Sequence, residues 1–137
     1  MKQIAYREGY KYQLAVSYNA TTRIRPPLQE VSTRFIRLTP KGKLFIREDY
    51  AWDGPSGPMK DTKSAMRGSL EHDAKYQLIR LGLIPPAMKA IADQEFREVL
   101  VIDGTLTIRA KVAYWVLEVF GKEATEARSE PPVLYAP

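Results

Sequence analysis

The 137-residue chain has no cysteine and only one histidine. The first absence removes disulfides, thiolate nucleophiles and thiolate zinc sites together. The second removes zinc centres that draw two or three imidazoles from one chain, so any imidazole base must be His72. Long apolar runs are missing too, since no stretch approaches the roughly 18–20 uninterrupted apolar residues of a membrane-spanning helix. The opening Met1-Lys2-Gln3-Ile4-Ala5-Tyr6-Arg7-Glu8-Gly9 carries charge throughout and lacks the apolar core of a signal peptide or anchor. The expectation is a soluble protein made in the cytoplasm.

What is present fits a globular domain. Hydrophobic residues are 45% and charged residues 27%, which sets aside wholesale disorder and low-complexity classes. The length suits one domain. Twenty-one Lys and Arg against sixteen Asp and Glu leave a net charge of +5, a surplus that attracts phosphate-bearing partners and equally serves solubility.

Local patterns divide the chain in two. Residues 1–52 read as β-rich, 53–60 as a loop, and 61–121 as helical. Tyr10 to Tyr18 is rich in aromatic and branched residues and suits a half-buried strand. Ser32 to Leu38 and Lys43 to Arg47 flank Thr39-Pro40-Lys41-Gly42, a hairpin signal in which Gly42 supplies the positive φ of a tight turn. Tyr50-Ala51-Trp52 forms a third short element.

Asp61 or Thr62 can cap a first helix that runs to Arg80 and stops at Gly82. Pro85-Pro86 opens a second, ending at Asp103-Gly104, with Met88, Ile91, Ala92, Glu95 and Val99 in one row. A third covers Leu106 to Phe120, with Leu106, Ala110, Ala113, Leu117 and Phe120 on one stripe and Gly121 as its stop. The tail, 122–137, is Pro-rich and expected to be extended. The predicted fold is α+β, an N-terminal β meander with hairpins packed beside a C-terminal three-helix unit.

One constellation can carry chemistry. Ser69, His72, Tyr76 and Ile79 recur at three and four residues and share a helix face. Asp73 is turned about 100° from His72, badly placed to orient the ring but well placed to hold a cation. The orienting carboxylate must come from elsewhere, and Asp93 on the next, antiparallel helix is the natural candidate. A carboxylate on one ring nitrogen fixes the tautomer and leaves the other nitrogen as a base for water. Ahead of this helix lies Trp52-Asp53-Gly54-Pro55-Ser56-Gly57-Pro58, whose backbone oxygens could approach an ion closely. Calcium accepts such oxygens together with carboxylates, so residues 53 to 57 with Asp73 make a candidate cage. The same polar residues also fit a hydrogen-bonded core with no catalytic role, and both readings stay open at this point.

The blocks Ala51-Trp52-Asp53-Gly54-Pro55-Ser56-Gly57-Pro58, Ser69 to Leu78 (SLEHDAKYQL), Ala92-Asp93-Gln94-Glu95-Phe96 and Ala113 to Gly121 (AYWVLEVFG) resemble a family of uncharacterised phage and prophage proteins, known only as a domain of unknown function. The resemblance implies a phage origin. It places the protein in the cytoplasm of an infected bacterium or inside the virion.

More distantly, a glycine-containing loop, His-Asp-x-x-Tyr on a helix and an Asp on an antiparallel helix are similar to the pattern of calcium-dependent phospholipase A-two enzymes, including the short forms in parvovirus capsid proteins. That resemblance implies His72 as the base that activates water, Asp93 as its orienter and Tyr76 as a donor to the supporting carboxylate. It implies calcium as cofactor, held by Asp73 with Gly54 and Gly57, to which the loop reading adds Asp53, and a phospholipid or membrane surface as partner. The competing expectation is a non-enzymatic virion, tail or host-interaction protein whose partners are other phage proteins. Trp52 reads as a core cover. Arg23, Arg25, Arg34, Arg37, Lys41, Lys43 and Arg47 read as solvated strand faces, which leaves nucleic acid as the less favoured partner.

Overall fold

The computed structural model describes residues 4–6, 12–55, 59, 62–126 and 134–136. Among the described residues seven short strands precede the helices: β1 (Ile4–Tyr6), β2 (Tyr12–Gln13), β3 (Tyr18–Thr21), β4 (Val31–Ser32), β5 (Ile36–Leu38), β6 (Lys43–Ile46) and β7 (Ala51–Trp52). Helices α1 (Met66–Arg80), α2 (Lys89–Ile102) and α3 (Thr107–Phe120) follow, and β8 (Leu134–Ala136) closes the chain. This is an α+β fold.

The main sheet is antiparallel, in the order β3-β6-β5-β4. Its centre is the expected hairpin, with Leu38 opposite Leu44 and Ile36 opposite Ile46. These four side chains are buried while Arg37 and Lys43 point away, the alternation a one-faced sheet requires. Gly42 takes φ +83°, and a Cβ there would collide with the Arg25 guanidinium and the Thr22 carbonyl.

The expected strand from Tyr10 to Tyr18 is instead broken in two, and residues 10 and 11 lie outside the described residues. Tyr12 and Gln13 pair with β7, then the chain bends through exposed Val16 before β3 joins the main sheet. The two pieces serve different sheets, so no single strand could satisfy both.

The first helix starts without its expected cap. Thr62 is extended, and its hydroxyl turns back to donate to the Met59 carbonyl at 2.8 Å. A 3-10 turn at Lys63–Ala65 then leads into α1. The other candidate cap, Asp61, lies outside the described residues. Pro86 opens a 3-10 turn that leads into α2, as Pro suits the first helical position.

In α3, Ala110 and Ala113 are buried and Leu117 partly so, but Leu106 and Phe120 are exposed, so the expected stripe holds only in its middle. Beyond α3 the tail is not simply extended. Lys122–Thr125 forms a 3-10 turn tied to α1 through Arg80 Nη1, which donates to the Ala124 carbonyl at 2.8 Å. β8 returns antiparallel to β1.

Two apolar clusters hold these parts together. The larger joins the sheet to α1 through Ile24, Ile36, Leu38, Leu44, Ile46, Leu70 and Leu78, and the smaller lies between α2 and α3 around Phe96, Leu100, Ala110 and Ala113. Helix α1 therefore has the sheet on one side and α2 on another. Gly68 lets α2 approach closely, since a Cβ there would stand 3.3 Å from the Phe96 ring.

Candidate functional site

Because α1 is enclosed, its polar residues must find partners inside the fold. They do so in separate sectors around its circumference. Trp52 Nε1 donates to Ser69 Oγ at 3.1 Å, which joins β7 to the helix and confirms Trp52 as a core residue. Further along the same face, His72 and Tyr76 meet α2, where the side chain of Asp93 has no solvent exposure.

His72 Nε2 stands 2.7 Å from Asp93 Oδ1, and the Tyr76 hydroxyl donates to the same oxygen at 2.5 Å. The other oxygen, Oδ2, receives Lys89 Nζ at 2.7 Å, and Lys89 also donates to the Leu117 carbonyl at 3.0 Å near the end of α3. The His72 ring is flanked by Tyr76, with ring centres 4.0 Å apart, and by Phe96 at 5.0 Å. Gly121 completes the enclosure through its small size, with an ordinary φ of −80°. A Cβ there would come within 2.9 Å of the Tyr76 hydroxyl oxygen and 2.6 Å of the Leu117 carbonyl.

The protonation states follow from this packing. Burial pushes the His72 imidazole below its ordinary value, and the Asp93 hydrogen bond pulls the other way without reversing the shift. For Asp93, burial favours the neutral acid, yet hydrogen bonds from His72, Lys89 and Tyr76 outweigh it and hold the carboxyl below the usual carboxylate range. Burial and the neighbouring Asp93 drive the Tyr76 phenol well above its ordinary value. At neutral pH the arrangement is a neutral imidazole donating Nε2–H to a carboxylate whose charge Lys89 balances. Among the described residues Nδ1 has no hydrogen-bond partner. Its lone pair is free to accept a proton.

Asp73 lies apart from this cluster, as its position on the helix requires. Its Oδ2 accepts a hydrogen bond from the Tyr50 hydroxyl. Burial raises its carboxyl above the ordinary value, Tyr50, Arg80 and His72 offset this in part, and Asp53 adds to it. Asp53 is exposed. Gly54 has φ +80°, and the space a side chain would take there is filled by the Tyr12 ring, 2.6 Å from a built Cβ. Gly57 lies outside the described residues. Calcium takes six to eight oxygens, whereas the described residues hold no group of three or more His, Asp or Glu able to bind a metal ion. Among the described residues the fit to calcium is incomplete.

Sequence reasoning missed two parts. One is Lys89, four residues before Asp93, a spacing that places the two on one helix face. The other is a second buried charge cluster. Lys75 Nζ lies 3.3 Å from Glu95 Oε1 and 4.0 Å from Glu71 Oε1. Glu95 also accepts from Thr22 Oγ1 at 2.5 Å and from the Arg23 amide at 3.1 Å, while Glu71 accepts from the Tyr18 hydroxyl at 3.0 Å. Tyr18, Thr22, Glu71 and Glu95 line a cavity of about 520 Å³ together with Arg23 and Arg67. The signal was Glu95 itself, a carboxylate standing in an otherwise apolar row.

The chain matches no protein-family model, no curated protein and no solved structure.

Proposed function

We propose that the chain is a phage-encoded hydrolase of the phospholipase-like, ester-cleaving kind, with His72 as general base and Asp93 as its orienting carboxylate. The observation that carries this reading is the double hydrogen bond at Asp93 Oδ1, received from His72 Nε2 and Tyr76 together. It fixes the ring and commits Nε2 as the donor. Nδ1 takes a proton from water, the resulting hydroxide attacks the ester carbonyl, and the imidazolium returns the proton to the departing alkoxide. The products are an acid and an alcohol. Asp93 keeps its charge throughout, and Lys89 and Tyr76 hold it in place. An oriented base of this type contributes roughly 10²–10⁴-fold to rate.

A second reading is a non-enzymatic virion, tail or host-interaction protein in which the network is structural. It draws support from the complete burial of Asp93 and from the Tyr76 and Phe96 rings beside the imidazole.

The two readings separate in an assay of the purified chain on phospholipid and simple carboxylic esters, with and without added calcium. Turnover that falls at least about 100-fold in His72→Asn, with the helical circular dichroism unchanged, supports the enzyme. Absence of turnover on every ester, or turnover that survives His72→Asn, overturns it. Calcium-dependent turnover would assign the ion to the Asp73 side of the site.

A further inference from the structure

Eleven large apolar side chains are exposed among the described residues, and eight of them fall between residues 101 and 120. Five of those eight lie on α3. Ala110, Ala113 and Leu117 face the core, while Ile108, Val112, Trp115 and Val119 occupy the opposite face at 73%, 47%, 59% and 49% exposure. Their spacing of four, three and four residues is that of the a and d positions of a heptad seam, the pattern by which two helices pack knobs into holes. A helix that only covers its own domain needs a single apolar face. This one has two.

We propose that the outward face of α3 is a dimerisation seam, occupied by the same face of a second copy packed antiparallel about a two-fold axis. The flanking charges select this occupant and direction. Lys111 and Glu118 are both exposed, seven residues apart, and lie on the same flank of the seam. When Ile108 of one copy lies opposite Val119 of the other, and Val112 opposite Trp115, Lys111 of each chain faces Glu118 of the other. Symmetry makes the pair twice, as a self-complementary interface requires. A parallel pairing would set Lys111 against Val116 and give it no opposite charge. Phe120 is also exposed and meets the Trp115 ring edge-on at 6.4 Å, which extends the apolar surface beside the seam.

Sedimentation velocity over a concentration series tests the proposal on the full chain. The expected result is a concentration-dependent species of twice the chain mass. Trp115→Glu should weaken it by at least about 30-fold, the scale of a central interface residue, with the circular dichroism unchanged. Lys111→Glu and Glu118→Lys should each weaken it severalfold, and the double variant should restore it. A monomer at every concentration up to about 1 mM overturns the proposal, as does a dimer indifferent to Trp115→Glu. Failure of the double variant to restore association overturns the antiparallel register. Binding of the monomer to anionic phosphatidylglycerol vesicles, lost in Trp115→Glu, would assign the face to a lipid surface and overturn the dimer.

Discussion

Helices α1 and α3 invert the usual relation between polarity and burial. Ser69, Glu71, His72 and Lys75 on α1 are buried, whereas Ile108, Trp115 and Phe120 on α3 are exposed. Burial of α1 is tolerated because each of these groups meets a partner of matching chemistry: Trp52, Tyr18, Asp93 and Glu95 in turn. Exposure of α3 has no such account among the described residues. The contrast teaches that position in the fold, between the sheet and α2, decides which helix is enclosed. Local composition then records whether the enclosure is complete.

The largest effect should come from breaking the pairing on α1. Lys75 is 2% exposed and lies between Glu71 and Glu95. Lys75→Met removes the cation beside Glu95 and strands that carboxylate, while Glu71 keeps Arg67 at 3.6 Å, a loss expected to cost about 3–5 kcal/mol. Urea denaturation measures it as a lower midpoint at unchanged slope. Adding Glu95→Gln to Lys75→Met should recover part of the loss by removing the stranded charge. A cost below about 1 kcal/mol would mean that the neighbouring cavity keeps these groups hydrated, and α1 would no longer count as an enclosed polar helix.

This contrast was only partly legible in the sequence. Periodicity placed the three helices and the β5–β6 hairpin well, because each is a local pattern bounded by Gly or Pro. The break between β2 and β3 was not visible, since it arises from two sheets claiming adjacent residues. At the site, three- and four-residue spacing joined His72 to Tyr76, and the antiparallel run of the next helix pointed to Asp93. Helical angle alone also kept Asp73 off the His72 ring. The Glu71, Lys75 and Glu95 cluster was not read, because its third wall comes from Tyr18, Thr22 and Arg23, some fifty to seventy residues away in sequence. Lys89 was missed although its partner lies one turn along the same helix.

A milder perturbation of α1 is a change of pH. The folded state holds His72 below its ordinary value near 6.5, so the unfolded chain binds a proton that the native protein refuses. The stability associated with a neutral His72 is fully present above about pH 6.5. It declines as pH falls below that value. Asp93 acts in the same direction at lower pH, because its depressed folded value means that its stabilisation is lost as the native carboxylate finally protonates. Asp73 acts oppositely, its raised value favouring the fold as the pH falls toward the carboxylate range. Melting temperature measured from pH 8 to pH 5 should therefore fall in the wild type and fall less in His72→Gln. With a single histidine in the chain, a slope unchanged by that substitution would show that the ring is hydrated rather than enclosed.

The smallest effect should appear on the outer face of α3. Trp115 is large, and replacing a buried residue of its size typically costs about 3–5 kcal/mol. Here the ring is 59% exposed and has the Phe120 ring edge-on at 6.4 Å. Trp115→Gln removes that contact and little else, keeps a good helix former, and should change the unfolding free energy of the dilute chain by no more than about 0.5 kcal/mol. Association should make the cost depend on concentration, because a dimer is stabilised by mass action. The wild type should gain melting temperature as it is concentrated, and Trp115→Gln should gain less. Equal concentration dependence in the two proteins would leave Trp115 as an ordinary surface residue. A large loss in the dilute state would show instead that α3 depends on Trp115 within its own chain, and its outward face would then resemble α1 more closely than the exposure values imply.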